Sequence, residues 1–174
     1  LSEEDIWRVA MKGHFRPRAF NTLPRTARAV LDLALAPEPE ERYRLAACTP
    51  AKTRVAERLV AEHHGEPTLV IGQFLDQLEE LAADLDAPMI SGATPVKERQ
   101  RLFDAFRVGE LSLLVVSKVA NFSIDLPEAA VAIQVSGSFG SRQEEAQRLG
   151  RLLRPKADGR TARFYALVTR DTVD

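Results

Sequence analysis

The segment SRQEEAQRLGRLLRPK at 141–156 holds the residues best suited to chemistry. On a helix turning 100° per residue, with Gln143 as zero, Gln147 falls at about 40°, Arg154 at about 20° and Arg151 at about 80°. Ala146, Leu149, Leu152 and Leu153 fill the arc from about 180° to about 300°. Ser141 with Glu144 three residues on is a capping box that opens such a helix. One narrow face thus carries glutamines and arginines, opposite a face built to pack. Gly150 lies beside the polar stripe and costs a helix interior roughly 1 kcal/mol relative to alanine. A glycine there lets another surface approach closely. Planar guanidiniums on adjacent turns suit a transferring phosphoryl group, whose negative charge they stabilise. The alternative is a surface helix with ordinary solvated arginines.

Other chemistries find less support. No GxxxxGK[ST] loop occurs, and the glycines of GSFGS at 137–141 fit neither that loop nor a dinucleotide fingerprint. This chain is therefore not expected to cradle a nucleotide triphosphate by itself. Cys48 is the single cysteine, which removes internal disulfides and cysteine-based zinc sites and fits a reducing, cytoplasmic setting. Neighbouring His63 and His64 lack a ligand-spaced partner, so solvent-exposed histidines are expected and no metal site. Ser117 and Ser123 have no His nearby in the sequence to form a nucleophilic triad.

The elements that must position these residues are regular. With 174 residues the chain suits one domain with a short appendage. Roughly 70% of the unfolded surface can be buried at this size, so a core needs no metal or disulfide. Hydrophobic content of 45% and charged content of 28% exclude intrinsic disorder. No apolar run approaches the ~18 residues of a membrane span, and LSEEDIWRVA lacks the order of a secretory signal. A start at Leu1 rather than Met is expected of a fragment or a processed chain.

TLVIG (68–72), PMIS (88–91), LSLLVVS (111–117), AAVAIQV (129–135) and RFYALV (163–168) read as buried strands. Helices are expected after Pro24, from Thr49–Pro50 with Val55, Leu59 and Val60 inward, over 74–85 with Leu75, Leu78, Leu81, Ala82 and Leu85 inward, and from Thr94–Pro95 with Leu102, Phe103 and Phe106 inward. The acidic PEPEE stretch at 37–41 reads as a linker or turn. Continuous apolar strands between amphipathic helices describe an α/β fold, an open parallel sheet covered on both faces. Ligands bind such sheets at the carboxyl ends of the strands.

Net charge is −1 from 24 Lys+Arg and 25 Asp+Glu, but the distribution is uneven. Six bases and no acid lie between Arg8 and Arg28, and seven bases face three acids between Arg142 and Arg163. Five acids and no base occupy Asp76 to Asp86. A phosphate-binding face on a nearly neutral molecule is compatible with this, as are two solvated basic faces.

QRLGRLLR at 147–154 resembles motif VI of superfamily 2 helicases. TLVIGQFLDQLEEL resembles motif IV, ISGATPVKERQRLFDAFRVGE the following motif IVa segment, and LLVVSKVANFSIDLPEA motif V. Within that superfamily, DLPEA, SRQEEAQRLGR and the closing FYALVTRDT are similar to the XPB family of DNA repair helicases, and ANFSIDLPEA to its bacterial branch. The resemblance runs from about 40 to 174. It implies that 41–174 is the second, RecA-like domain of a two-domain ATP-dependent 3′-to-5′ DNA motor. Its partner would be the N-terminal RecA-like domain of the same protein, which carries the phosphate loop and the carboxylates that hold magnesium.

By resemblance, Arg151 and Arg154 are arginine fingers for ATP held with Mg2+ mainly on that other domain, and Gln147 reaches the nucleotide or orders them. Asp125 lies near the ribose, with Ser123, a subfamily trait where relatives carry glycine, beside it, and Gly150 completes the cofactor side. Ser117 and Lys118 match the portion that touches the nucleic-acid backbone. Ser91, Gly92, Thr94 and Arg99 can grip phosphates through backbone N–H, hydroxyl and guanidinium, although Thr94 is equally explained as a helix cap. Gln73 and Phe74 either face the cleft or pack. Single-stranded or forked DNA is the implied ligand and a nuclease or repair factor a further partner, with no membrane involved. The rival readings are an RNA helicase domain, since backbone-reading motors differ mainly in ribose contacts, and a non-catalytic nucleic-acid-binding adaptor. Residues 1–40 are a helical or linker appendage, either part of a thumb-like insertion or the remnant of another linker. Its basic run with Trp7, Phe15 and Phe20 favours nucleic-acid contact, while plain packing of the aromatics is the simpler explanation.

Overall fold

The computed structural model describes residues 38–117, 129–137 and 162–169. In chain order the elements are α1 (Pro39–Ala47), α2 (Pro50–Glu62), β1 (Thr68–Gly72), α3 (Leu75–Asp84), β2 (Met89–Ile90), α4 (Val96–Arg107), β3 (Leu113–Ser117), β4 (Val131–Gln134) and β5 (Arg163–Ala166). The strands form one five-stranded sheet in the order β2-β3-β1-β4-β5, and every pairing is parallel.

Period-two alternation divides the strand residues between two cores. Leu69, Ile71, Leu114, Val116 and Ala132 join Leu102, Phe103 and Phe106 of α4 on one face. Val70, Val115, Val131 and Ile133 join Ala56 of α2 with Leu78 and Leu81 of α3 on the other. Both faces are therefore dry at β1, β3 and β4, which is why these strands read as unbroken apolar runs. In contrast β5, expected to be buried, is an edge strand and largely exposed, with Phe164 39% exposed. Burying each large side chain contributes roughly 1.5–3 kcal/mol.

Three expectations are corrected. The acidic stretch at 37–41 is no linker: Pro39 stands in the first turn of α1 and Glu40 and Glu41 follow it. Proline fits where the N–H would be unpaired anyway, and acids suit the positive end of the helix dipole. Tyr43, Ala46 and Ala47 then bury its inner face. In α2 the inward stripe is Ala56, Leu59 and Val60, while Val55 is 45% exposed. In α3 Leu78 and Leu81 are buried, but Leu75, at the first residue, remains 47% exposed. Periodicity fixes the direction of a stripe and not where the layer beneath it ends. Thr49 does occupy the N-cap position of α2, yet its side chain makes no capping bond. The helix expected after Pro24 and the one expected from Ser141 lie outside the described residues.

Candidate nucleotide and nucleic-acid interface

Strand register brings the candidate segments to one edge of the sheet. Gly72 is level with Ser117, Ile90 with Val116, and Ile71 with Gln134. The chain segments leaving β1, β2, β3 and β4 therefore depart from the same side, at the carboxyl ends of the strands.

The turn after β2 is held by its own side chains. Ser91 N–H donates to Thr94 Oγ1 at 2.9 Å, Thr94 N–H to Ser91 O at 3.2 Å and Ala93 N–H to Ser91 Oγ at 3.3 Å. Thr94 thus braces the turn, while Pro95 is the N-cap residue of α4; the helix-cap explanation of Thr94 is corrected. Arg99, one turn into α4, donates from one terminal nitrogen to Thr94 O at 3.2 Å and to Ser91 O at 3.4 Å. Its Nε is buried without a hydrogen-bond partner among the described residues. Part of the guanidinium is therefore spent on the shape of the turn, and Gly92 stands exposed at its apex.

Ser117 ends β3 with 1% of its surface exposed, and its hydroxyl has no hydrogen-bond partner among the described residues. Its hydroxyl is thus turned into the protein, and Ser117 stands at the last position of β3, level with Gly72. Gln73 is exposed, and its N–H donates to Ser136 Oγ at 2.9 Å. Phe74 packs: its ring lies 6.1 Å from that of Tyr43, and the Arg44 guanidinium sits 5.8 Å above it. Arg44 also pairs with Asp76 at 2.6 Å. Lys118, Ser123, Asp125, Gln147, Gly150, Arg151 and Arg154 lie outside the described residues.

Sequence reasoning missed the residues that fix the exit from β4. Lys52, 4% exposed, donates its ammonium to Val135 O at 3.0 Å. Tyr43 donates its hydroxyl to Gly137 O. A Cβ on Gly72 would stand 2.9 Å from Ser136 Oγ and from Leu78 Cδ2, so the absent side chain is what lets β1 approach this exit closely. The signal was present for Lys52. It shares a helical stripe with Ala56 and Leu59, at the i, i+4, i+7 spacing of an inward face.

His63 is corrected as well. Its side chain is only 10% exposed. Nδ1 donates to Glu66 Oε1 at 2.9 Å, and the Tyr165 hydroxyl lies 2.9 Å from Nε2. His63 and Arg163 hold the Glu66 carboxyl below the usual carboxylate range. His64 is exposed, as expected.

Among the described residues no trio of His, Cys, Asp or Glu is grouped to hold a metal ion. The groups gathered at the Ser91–Thr94 turn are backbone N–H, hydroxyl and guanidinium, types that suit phosphate oxygens, and most of them bond within the turn.

Residues 30–174 match the ERCC3/RAD25/XPB C-terminal helicase family. The chain is 69% identical over 153 residues to the DNA 3'-5' helicase XPB of Kineococcus radiotolerans, covering 88% of this chain and 27% of that protein. It is 66% identical over 137 residues to the protein of the same name from Mycobacterium tuberculosis, covering 79% and 25%. The chain thus spans about a quarter of the length of these relatives. In fold it is similar to the C-terminal domain of the DEAD-box protein Dbp5, with a TM-score of 0.59 at 20% identity over 69% of this chain and 71% of that one. Sequence and architecture agree, and the chain belongs to the ERCC3/RAD25/XPB C-terminal helicase family.

Proposed function

We propose that this chain is the second motor domain of an ATP-dependent 3′-to-5′ DNA helicase acting in repair, with its domain boundary near residue 40. The observation that carries the proposal is the shared strand edge. The Ser91–Thr94 turn, the end of β3 and the exit from β4 lie along the same edge of the sheet in the strand order β2-β3-β1-β4, where segments resembling motifs IVa, V and VI begin.

Within this proposal ATP, bound with Mg2+ on the first domain, supplies the phosphoryl-transfer chemistry. The described residues of this chain do not fit the metal ion, and no step here is assigned to it. Arg151 and Arg154 would hold the transferring phosphoryl group from across the domain cleft and meet the charge that develops on it. Gln147 orders the pair, and Gly150 keeps the approach to that face open. Asp125 accepts hydrogen bonds from the ribose hydroxyls, with Ser123 beside it.

On the nucleic-acid side, the exposed backbone at Gly92, at the apex of the turn braced by Thr94 and Arg99, offers an N–H donor to a phosphate. Lys118, next after the strand end at Ser117, offers an ammonium. Contacts of this kind read backbone rather than sequence, so a motor that steps along single-stranded or forked DNA can use them at every register. The names of the two bacterial relatives favour DNA over RNA as the track.

Hydrolysis assays test the division of labour. The chain alone is expected to show no DNA-stimulated ATP hydrolysis, and the same chain joined to a first domain of the family is expected to show it. Hydrolysis by the pure 174-residue chain would contradict the proposal.

A further inference from the structure

The exit from β4 is fixed more heavily than a strand end needs. Three consecutive residues are each held by a side chain or main chain from a different part of the fold. Val135 O accepts from the Lys52 ammonium of α2, Ser136 Oγ accepts from Gln73 N–H beyond β1, and Gly137 O accepts from the Tyr43 hydroxyl of α1. Val135 N–H is also committed, to Ile71 O at 2.9 Å.

The helix that carries Tyr43 is itself tied down. Gln77 Nε2 donates to Ala47 O at 2.8 Å and Thr169 Oγ1 to Ala46 O at 2.7 Å. These bonds satisfy carbonyls that a helix end leaves unpaired and tie α1 to α3 and to the chain after β5. Tyr43 is 5% exposed and Lys52 4% exposed, so neither side chain can swing away without opening the core. Burial takes the Lys52 ammonium out of water, and its bond to Val135 O is one of the interactions that offset the lost hydration.

Ten residues after Gly137 stands Gln147, the first residue of QRLGRLLR. We propose that Tyr43 and Lys52 are positioning residues for ATP hydrolysis, fixing the base from which the segment bearing Arg151 and Arg154 departs. The proposal rests on the reading of those arginines as fingers. In this role neither Tyr43 nor Lys52 needs to touch the nucleotide. They act through the main chain at Gly137 and Val135, where a displacement of about 1 Å is enough to lower turnover by about 100-fold.

The test uses the two-domain protein. Tyr43→Phe removes the hydroxyl and keeps the ring against Phe74, Lys52→Met removes the charge and keeps the stem, and Lys52→Arg restores a donor. DNA-stimulated kcat is expected to fall roughly 10- to 100-fold in Tyr43→Phe and Lys52→Met. KM for ATP, DNA affinity and melting temperature should stay close to those of the parent, and Lys52→Arg should recover much of the loss. In an Arg151→Ala, Arg154→Ala background, single-turnover hydrolysis should show little further loss from Tyr43→Phe, because both groups being positioned are gone. Parent turnover in Tyr43→Phe, a loss that tracks the melting temperature, or losses that multiply with the double finger variant would overturn the proposal. If Lys52→Met fails to fold, Tyr43→Phe decides alone. Parent turnover in Arg151→Ala itself would instead refute the finger reading, and is read without touching Tyr43.

Discussion

Side chains at opposite ends of the sheet do different work. At the carboxyl edge, Thr94 and Arg99 close a turn whose Ser91, Ala93 and Thr94 N–H groups bond within it, with Gly92 exposed at the apex. At the far end, His63, Glu66, Arg163 and Tyr165 tie the α2–β1 connection to the edge strand, with Arg163 3.0 Å from Glu66. Hydrogen bonding from His63, aided by the charge of Arg163, holds the Glu66 carboxyl below its usual range. The folded form thus prefers Glu66 ionised. That contribution to stability is fully present above the ordinary carboxylate range and is lost as pH falls through the lowered value. Urea midpoints measured through the acid range are expected to fall less steeply in Glu66→Gln than in the parent. Equal slopes would show that the pair contributes nothing, as many exposed pairs do. Nothing in the sequence marked this cluster, because its members lie about 100 positions apart and meet only through sheet order.

Elements were legible where one physical signal ruled. Continuous apolar runs named β1, β3 and β4, since strands covered on both faces leave no polar alternation to confuse them, and β5 was named by its apolar run although it lies exposed at the edge. The faces of α3 and α4 followed from their leucines and phenylalanines, and Leu78, Leu81, Leu102, Phe103 and Phe106 are all buried. Leu78, fully buried against both Gly72 and the second core, is expected to cost about 2–5 kcal/mol as Leu78→Ala in denaturant unfolding. A much smaller loss would mean that α3 is not seated on the sheet as described. Legibility failed where two signals competed. At 37–41 the charge and proline content suggested a turn, but proline and acids are also what a helix start prefers. At Lys52 a charged side chain suggested the surface, although its helical spacing pointed inward. The site was readable as a set of motifs, and the braces behind it were not, because they belong to α1 and α2 and reach the site only in three dimensions.

At the scale of the whole molecule, one edge of the sheet carries the Ser91–Thr94 turn, the end of β3 and the exit from β4. In the proposed motor, that edge couples a grip on DNA to hydrolysis only when a second domain closes over it. Single-stranded DNA should bind the chain alone weakly and with strong salt dependence. Raising salt from about 50 to about 200 mM should weaken it by about tenfold or more if a few phosphates are neutralised. Salt-insensitive binding would indicate a specific pocket instead of a backbone grip. The deciding measurement is ATP turnover in the two-domain protein carrying Arg151→Ala or Arg154→Ala, with Arg148→Ala as control. Arg148 projects about 140° from Gln143 on the same helical wheel, away from the finger face. Turnover is expected to fall by about 10³–10⁵ in both finger variants, with ATP binding and melting temperature retained, and to persist in the control. Finger variants that hydrolyse ATP like the parent, or an Arg148→Ala loss as large as theirs, would contradict the assignment of this chain as the domain that completes the ATP site.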